Sequence, residues 1–323
     1  MRKLQVRKAA VLGAGVMGAQ IAAHLANAGV PVVLFDLPAR EGDKNGIVKK
    51  ALDGLKKLQP APLASKALLQ HIDAANYDDH LALLGDCDLV IEAIAERMDW
   101  KNELYAKIGP FLSSTAIIAS NTSGLSMNAL AQGLPEKLRP RFCGIHFFNP
   151  PRYMRLVEII ATAGTDPAAL DALETWLVST LGKGVIRALD TPNFVANRIG
   201  VFSILAVMHH TQRLDLGFDT VDALTGPKIG RPSSATFRTG DVVGLDTLAH
   251  VVRTMRDTLP DDPWQNHFTV PAWLDGLIGK GAFGQKAGGG IYRKVGKEIH
   301  VLDLGERAYR LSAGAASAEV ATI

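Results

Sequence analysis

The sequence predicts an α/β fold, in which a doubly wound and largely parallel sheet is followed by a mainly helical C-terminal domain. Short apolar runs typical of buried strands alternate with helical patterns up to about residue 190. Such alternation favours parallel strands that are covered by helices on both faces. Residues 194–278 continue with helical patterns and no convincing strand. A length of 323 residues is enough for two domains, each with its own core.

The individual elements follow from the spacing of apolar residues. Helical spacing of apolar residues predicts helices over 17–28, 100–108 and 170–181, and later over 195–208, 221–224 and 245–255. Seven runs predict strands, at 9–12, 30–35, 88–91, 116–119, 142–145, 157–160 and 185–186. We therefore expect a first domain over residues 1–189, a helical domain over 190–300 and an irregular tail over 301–323.

Composition excludes several classes of protein. Lys and Arg number 35 against 32 Asp and Glu, so the chain offers no broad surface for a polyanion, and nucleic acid is not an expected partner. Cys87 and Cys143 lie far apart and form no Cys-x-x-Cys pair, which predicts neither a metal site nor a disulfide framework. The longest apolar stretch in the second half, 199–208, is too short to cross a membrane. We expect a cytoplasmic protein.

A glycine-rich turn follows the first predicted strand and opens a helix, with the sequence Gly13-Ala14-Gly15-Val16-Met17-Gly18. The first glycine permits a sharp turn, the second lets backbone approach a diphosphate, and the third permits close packing of helix on strand. Asp36 ends the next strand, where a carboxylate accepts hydrogen bonds from a ribose diol and repels a 2′-phosphate. The motif predicts a Rossmann-type domain that binds NAD, with Arg40 leaving NADP as the lesser alternative.

Two further groups of residues are candidates for chemistry. His146 ends an apolar run, and Glu158 lies inside another, where a buried carboxylate needs a partner. A carboxylate on one imidazole nitrogen fixes the tautomer and makes the other nitrogen more basic. Spacing alone nevertheless favours a structural histidine over a catalytic one. Ser123 closes the polar segment after the strand at 116–119, and Ser126 is the better cap for the following helix, which leaves Ser123 free to bind a ligand.

Several motifs in fixed order resemble those of the L-3-hydroxyacyl-CoA dehydrogenases of β-oxidation. The resemblance runs from about residue 8 to residue 292 and includes the glycine turn. The other segments that carry it are Ala119-Ser120-Asn121-Thr122-Ser123, His146-Phe147-Phe148-Asn149-Pro150, the Glu158 strand, Asp190-Thr191-Pro192 with Asn197-Arg198, Val243-Gly244-Leu245-Asp246, and Phe283-Gly284-Gln285-Lys286. The resemblance reverses the preference for a structural His146.

The resemblance implies the roles of single residues. His146 would be the general base for the substrate 3-hydroxyl, Glu158 would orient its imidazole, and Ser123 and Asn197 would bind the reacting oxygen. The substrate would be an acyl-CoA, and the protein a homodimer. The residues that match NAD contacts of the family are Gly13 to Gly18, Asp36, Glu96, Lys101, Ser123 and Lys286. Lys49, Lys50, Lys56 and Lys57 lie where the family contacts coenzyme A, although a lysine-rich helix is more often only a solvated face.

The sequence also departs from the family pattern. The segment 231–237 and the run Pro151-Arg152-Tyr153 differ from the usual residues, and Asn193 stands where glycine is common. These departures resemble a bacterial subgroup whose dehydrogenase part is often followed by an enoyl-CoA hydratase-like region. On that basis the chain is either a stand-alone enzyme or part of a longer protein. The alternatives are a dehydrogenase of free hydroxy acids and a non-catalytic NAD-binding protein of the same fold.

Overall fold

The structure is a computed structural model that describes residues 4–313. The chain divides into two compact units, Met1–Val195 and Ala196–Ile323. The division falls six residues beyond the boundary that the change in sequence pattern predicts. Each unit has its own apolar core, and each is described separately below.

The first unit is built on one eight-stranded sheet with the order β3-β2-β1-β4-β5-β6-β7-β8. Strands β6 and β7 pair antiparallel, whereas all other neighbours pair parallel. The strands are β1 (Ala9–Leu12), β2 (Val32–Asp36), β3 (Ile72–Asn76), β4 (Leu89–Glu92), β5 (Ile117–Ser120), β6 (Phe142–Phe147), β7 (Leu156–Ala161) and β8 (Gly184–Ala188). The first six strands have the order of a doubly wound dinucleotide-binding sheet, which confirms the predicted fold class.

Helices and apolar side chains cover both faces of this sheet. Along β1, Val11 belongs to the core cluster on one face, together with Ile21, and Leu12 belongs to the cluster on the other face, together with Tyr105. This alternation is what a strand buried on both sides requires. The helices of the unit are α1 (Val16–Asn27), α2 (Gly46–Leu55), α3 (Met98–Ile108), α4 (Met127–Ala131) and α5 (Pro167–Leu181).

The glycine turn and four polar residues lie at one edge of the sheet, where the parallel strands β1, β2, β4, β5 and β6 reach their carboxyl ends. Gly13 follows β1, Asp36 ends β2, Glu92 ends β4, Ser120 ends β5 and His146 is the last residue but one of β6. Because the strands are parallel, these five positions lie along the same edge. Ligands of doubly wound sheets bind at this edge.

The second unit is mainly helical, as predicted. Its helices are α6 (Ala196–Arg213), α7 (Phe218–Leu224), α8 (Phe237–Val243), α9 (Leu245–Thr258) and α10 (Ala272–Gly279). Within the described residues, no helix is both long and apolar enough to span a bilayer. No group of three or more His, Cys, Asp or Glu side chains in that part of the chain is arranged to hold a metal ion.

The prediction of an irregular tail from residue 301 is wrong for its first part. A three-stranded antiparallel sheet is formed by β9 (Tyr292–Val295), β10 (Glu298–Asp303) and β11 (Ala308–Leu311). Val301 is buried in the core of the second unit, and the guanidinium of Arg310 binds Asp219 with N–O distances of 2.7 and 2.9 Å. Strand pairing and the ion pair between Arg310 and Asp219 therefore order this segment, although its sequence has little apolar periodicity. Residues 314–323 of the predicted tail lie outside the described residues.

Candidate active site

The glycine turn has the geometry that the motif predicts. Gly13 has a φ of +103°, and a Cβ atom on it would lie 2.8 Å from the carbonyl oxygen of Ala93. A Cβ atom on Gly18 would lie 1.8 Å from the carbonyl oxygen of Gly13, so the close approach of α1 to β1 excludes any side chain there. A Cβ atom on Gly15 would meet no protein atom within 4 Å. Gly15 therefore borders open space at the start of α1.

That space suits a diphosphate. No side chain caps the N-terminus of α1, so the amide groups of its first turn and the positive end of the helix dipole face the opening. Asp36 stands beside the turn, where its two carboxylate oxygens accept hydrogen bonds from the amides of Ala14 at 2.6 Å and Leu37 at 2.7 Å. A cleft of about 500 Å³ adjoins these residues, and its lining includes Gly13, Gly15, Asp36, Tyr77 and Trp100. The residues present therefore fit NAD.

His146 and Glu158 form a buried pair. The antiparallel register of β6 and β7 places the two residues directly opposite each other. Imidazole Nδ1 lies 2.7 Å from carboxylate Oε2, with His146 4% exposed and Glu158 fully buried. The other carboxylate oxygen accepts a hydrogen bond from the amide of Val195 at 3.0 Å. Glu158 is thereby fixed from two sides.

This pairing determines which imidazole nitrogen is available. A carboxylate can only accept, so Nδ1 carries the proton that is donated to Glu158. Nε2 makes no hydrogen bond to any described residue, and its lone pair can take a proton from another molecule. The rings of Phe148 and Phe194 pack against the imidazole, with centroids 4.5 and 5.7 Å away. The imidazole is thus held in one orientation by an acid and two aromatic rings.

Ser123 is held by its backbone rather than by its side chain. Glu96 Oε1 accepts hydrogen bonds from the amides of Ser123 at 2.9 Å and Gly124 at 3.0 Å, and also from the hydroxyl of Thr122. The side chain of Ser123 remains exposed. Of the two functions predicted for this stretch, capping belongs to Ser126, whose hydroxyl accepts a hydrogen bond from the amide of Ala129 in α4.

Lys101 lies deeper than a predicted cofactor contact would suggest. Its side chain is 1% exposed, and its ammonium lies 2.6 Å from Glu92 Oε1 and 3.9 Å from Glu96 Oε2. The ammonium therefore links a buried carboxylate to the one that holds the turn at Ser123. In this conformation Lys101 holds the two carboxylates of Glu92 and Glu96 in place and is itself buried away from the opening.

Glu92 is the main residue that the sequence reasoning missed. It is fully buried, and its second oxygen accepts hydrogen bonds from Tyr105 at 3.0 Å and Ser120 at 2.6 Å. Burial, with the negative charge of Glu92 as a second cause, raises the pKa of Tyr105 well above its usual value, so the phenol remains a donor. A signal was present in the sequence, because Glu92, like Glu158, interrupts an apolar run.

Asn197 and Lys286 belong to the second unit. Asn197 lies in the first turn of α6 and is partly buried. The ammonium of Lys286 forms an ion pair with Asp246 at 2.7 Å. Of the predicted site residues, the structure of the first unit therefore brings two pairs into contact: the glycine turn with Asp36, and His146 with Glu158.

The four lysines of the α2 region differ in their partners. Lys49 is 2.5 Å from Asp43, and Lys56 is 2.6 Å from Asp53. Lys50 and Lys57 are exposed and form no ion pair with the residues that the structure describes. Their charges are the ones left available to an anionic ligand.

Comparison with known proteins identifies the family. The profile described as "3-hydroxyacyl-CoA dehydrogenase, NAD binding domain" matches residues 8–191, and that described as "3-hydroxyacyl-CoA dehydrogenase, C-terminal domain" matches residues 194–294. A Deinococcus radiodurans protein named "Probable 3-hydroxyacyl-CoA dehydrogenase" is 44% identical over 297 residues, which cover 91% of this chain and 85% of that protein. A Bacillus subtilis protein of the same name is 42% identical over 313 residues, which cover 92% of this chain and 40% of that protein.

The fold agrees with these matches. The crystal structure of (S)-3-hydroxybutyryl-CoA dehydrogenase PaaH1 from Ralstonia eutropha superposes with a TM-score of 0.73 at 29% identity, covering 90% of this chain and all of that one. The fold and the site together define an NAD-dependent oxidoreductase. More specifically, the chain belongs to the 3-hydroxyacyl-CoA dehydrogenase family, which confirms the predicted family, enzyme class and cofactor.

Proposed function

We propose that the chain catalyses the reversible oxidation of an L-3-hydroxyacyl-CoA to the 3-oxoacyl-CoA, with His146 as the general base. The observation that carries this proposal is the buried pair of His146 Nδ1 and Glu158 Oε2 at 2.7 Å. Bound NAD would accept the hydride that leaves C3 of the substrate. The hydroxyl proton must leave in the same reaction, and Nε2 of His146 is the free basic atom at the substrate edge of the sheet.

The neighbouring residues have separate tasks in this proposal. Glu158 stabilises the imidazolium that forms when His146 takes the proton, and it prevents the ring from rotating. The exposed hydroxyl of Ser123 and the amide of Asn197 would donate hydrogen bonds to the reacting oxygen. Gly13 to Gly18 would bind the diphosphate and Asp36 the adenosine ribose, whereas Glu96, Lys101 and Lys286 would act around the cofactor, Lys101 through the two carboxylates.

The coenzyme A end of the substrate would be bound by Lys50 and Lys57. Both ammonium groups lack a carboxylate partner among the described residues, whereas Lys49 and Lys56 each have one. An unpaired ammonium attracts a phosphate more strongly than one already neutralised by a carboxylate. We place the reaction in fatty-acid β-oxidation, as the family resemblance implies, and we propose that the protein is cytoplasmic.

A homodimer formed through the second unit is part of the same proposal. Several large apolar side chains of this unit are exposed, among them Ile199, Val242 and Val243. Exposed apolar residues of this kind are stabilised when a second copy covers them. Sedimentation equilibrium measures the assembly directly, and a monomer at micromolar concentration would contradict it.

The activity is tested with acetoacetyl-CoA and NADH as substrates. The His146→Gln variant should lose at least about a hundredfold in kcat, the range for a removed general base, while NADH binding stays close to that of the wild type. His71→Gln is the matched control, since His71 makes no side-chain hydrogen bond to the described residues. Near-normal turnover of the His146→Gln variant would refute the assignment of His146 as the general base. Turnover of free 3-oxo acids in place of the thioester would favour a hydroxy-acid dehydrogenase.

A further inference from the structure

Two loops of the first unit are joined by side-chain hydrogen bonds. One loop follows α2 and includes residues 61–64, and the other connects β6 to β7 and includes residues 150–154. Arg152 Nη1 donates to the carbonyl oxygens of Ala61 at 2.7 Å and Leu63 at 2.9 Å, and the hydroxyl of Tyr153 donates to Ala61 at 2.9 Å. From the helix side, Asn27 donates to the carbonyl of Pro62 at 2.8 Å. Three consecutive carbonyl groups of the first loop are therefore bound.

The charge of Arg152 has no counterpart in these contacts. The guanidinium forms no ion pair with a described residue, and both of its loop partners are neutral carbonyl groups. Lys183 repeats this arrangement nearby, because its ammonium donates to the carbonyl oxygens of Pro151 and Met154. A neutral donor could make the same hydrogen bonds, so Arg152 brings to this contact a positive charge that the two loops do not need.

The position of the two loops indicates what this contact connects. The loop with Arg152 connects the strand of His146 to the strand of Glu158. The other loop follows α2, which carries Lys50 and ends at Leu55, and its bound residues 61–64 begin four residues after Lys57. The contacts of Arg152 and Tyr153 are thus a short physical connection between the catalytic hairpin and the lysine-bearing helix. We call these two residues, with their three hydrogen bonds to residues 61–64, the clasp.

We propose that the clasp is a positioning device for the coenzyme A end of the substrate, and this inference rests on the proposed function. It fixes α2 at a set distance from the β6–β7 hairpin, so that Lys50 and Lys57 meet the phosphates while the acyl group reaches His146. Arg152 also contributes a positive charge that no described carboxylate neutralises, which favours a polyanionic ligand. The clasp therefore favours thioesters of coenzyme A over the same acyl group on a short thiol.

The experiment compares two substrates, acetoacetyl-CoA and the acetoacetyl thioester of N-acetylcysteamine, which lacks the nucleotide. In the Arg152→Met variant we expect KM for acetoacetyl-CoA to rise about tenfold, the effect of losing one good charged interaction, with kcat and KM for NADH nearly unchanged. KM for the short thioester should not change. Tyr153→Phe, which removes a single hydroxyl, should raise KM for acetoacetyl-CoA by about threefold.

The control variant is Arg155→Met. Arg155 lies in the same hairpin and is exposed, and its side chain forms no hydrogen bond with the described residues, so it tests the loss of charge alone. Equal effects of Arg152→Met and Arg155→Met would overturn the clasp, as would an equal loss of kcat with both substrates. If Arg152→Met fails to fold, Tyr153→Phe decides the question. Absence of wild-type activity with acetoacetyl-CoA would instead refute the proposed function and not the clasp specifically.

Discussion

His24 is a buried histidine whose protonation should destabilise the fold. It lies in α1 with 8% of its surface exposed, and neither ring nitrogen has a hydrogen-bond partner among the described residues. Burial lowers the pKa of His24 to about 4, and the positive charges of Lys183 and Arg152 act in the same direction. The folded protein therefore holds this imidazole neutral well below the pH at which an unfolded chain would protonate it.

The sign and size of the effect follow from this difference. The unfolded histidine has the ordinary pKa of 6.5, so above that pH both states are neutral and His24 contributes no pH dependence. As the pH falls from 6.5 to about 4, only the unfolded state takes up the proton, and the folded state loses stability. The full loss is about 3 kcal/mol, and about 2 kcal/mol of it is reached at pH 5.

The assay is urea unfolding of the wild type, His24→Leu and His71→Gln at pH 7.5 and at pH 5.0. The wild type and His71→Gln should lose about 2 kcal/mol more than His24→Leu over this interval. At pH 7.5 His24→Leu should also be about 1 kcal/mol more stable than the wild type, because leucine buries no unpaired polar group. If His24→Leu shows the same pH dependence as the wild type, the argument from burial is wrong.

Two further predictions concern the nucleotide site. Gly18→Ala should destabilise the first unit by at least about 3 kcal/mol in urea unfolding, since its Cβ atom would lie 1.8 Å from the Gly13 carbonyl oxygen. Gly15→Ala should fold normally, because its Cβ atom meets no protein atom within 4 Å, but it should bind NADH at least about tenfold more weakly in a fluorescence titration. Asp36→Ala should weaken NADH binding and reduce the preference over NADPH, which parallel titrations with both nucleotides measure; an unchanged preference would mean that another residue contacts the ribose.

The strands of the sheet could be predicted from the sequence wherever a single strand contains a recognisable apolar run. Apolar runs identified seven of the eight strands of the first unit, and the glycine turn identified the order of its first elements. Strand β3 was missed because its residues, Ile-Asp-Ala-Ala-Asn, have neither a β-branched run nor a clean alternation. It is ordered by parallel pairing with β2. The three-stranded sheet of the second unit was missed for the same reason, since its order depends on cross-strand partners.

The residues of the site show the same difference between local sequence motifs and contacts that depend on the fold. The glycine turn and Asp36 form a local motif, and their geometry follows from residues close in sequence. The pairing of Lys101 with Glu92 could not be predicted, because it joins a helix to the end of a strand through a buried contact that leaves no spacing rule. His146 could be paired with Glu158 from the sequence, because a buried carboxylate needs a partner. Spacing still favoured a structural histidine, and the family resemblance reversed that preference before the register of β6 and β7 gave a physical reason for the pair.

That reason lies in the direction of β7. A parallel strand next to β6 would need a long crossover, whereas an antiparallel strand returns through a short loop and places Glu158 opposite His146. A slip of one residue in this register would turn Glu158 to the other face of the sheet and leave a buried carboxylate without its imidazole. The loop that sets the register is the one that carries Arg152. The short β6–β7 connection thus fixes which residue of β7 faces His146, and the catalytic pair depends on the length of this loop.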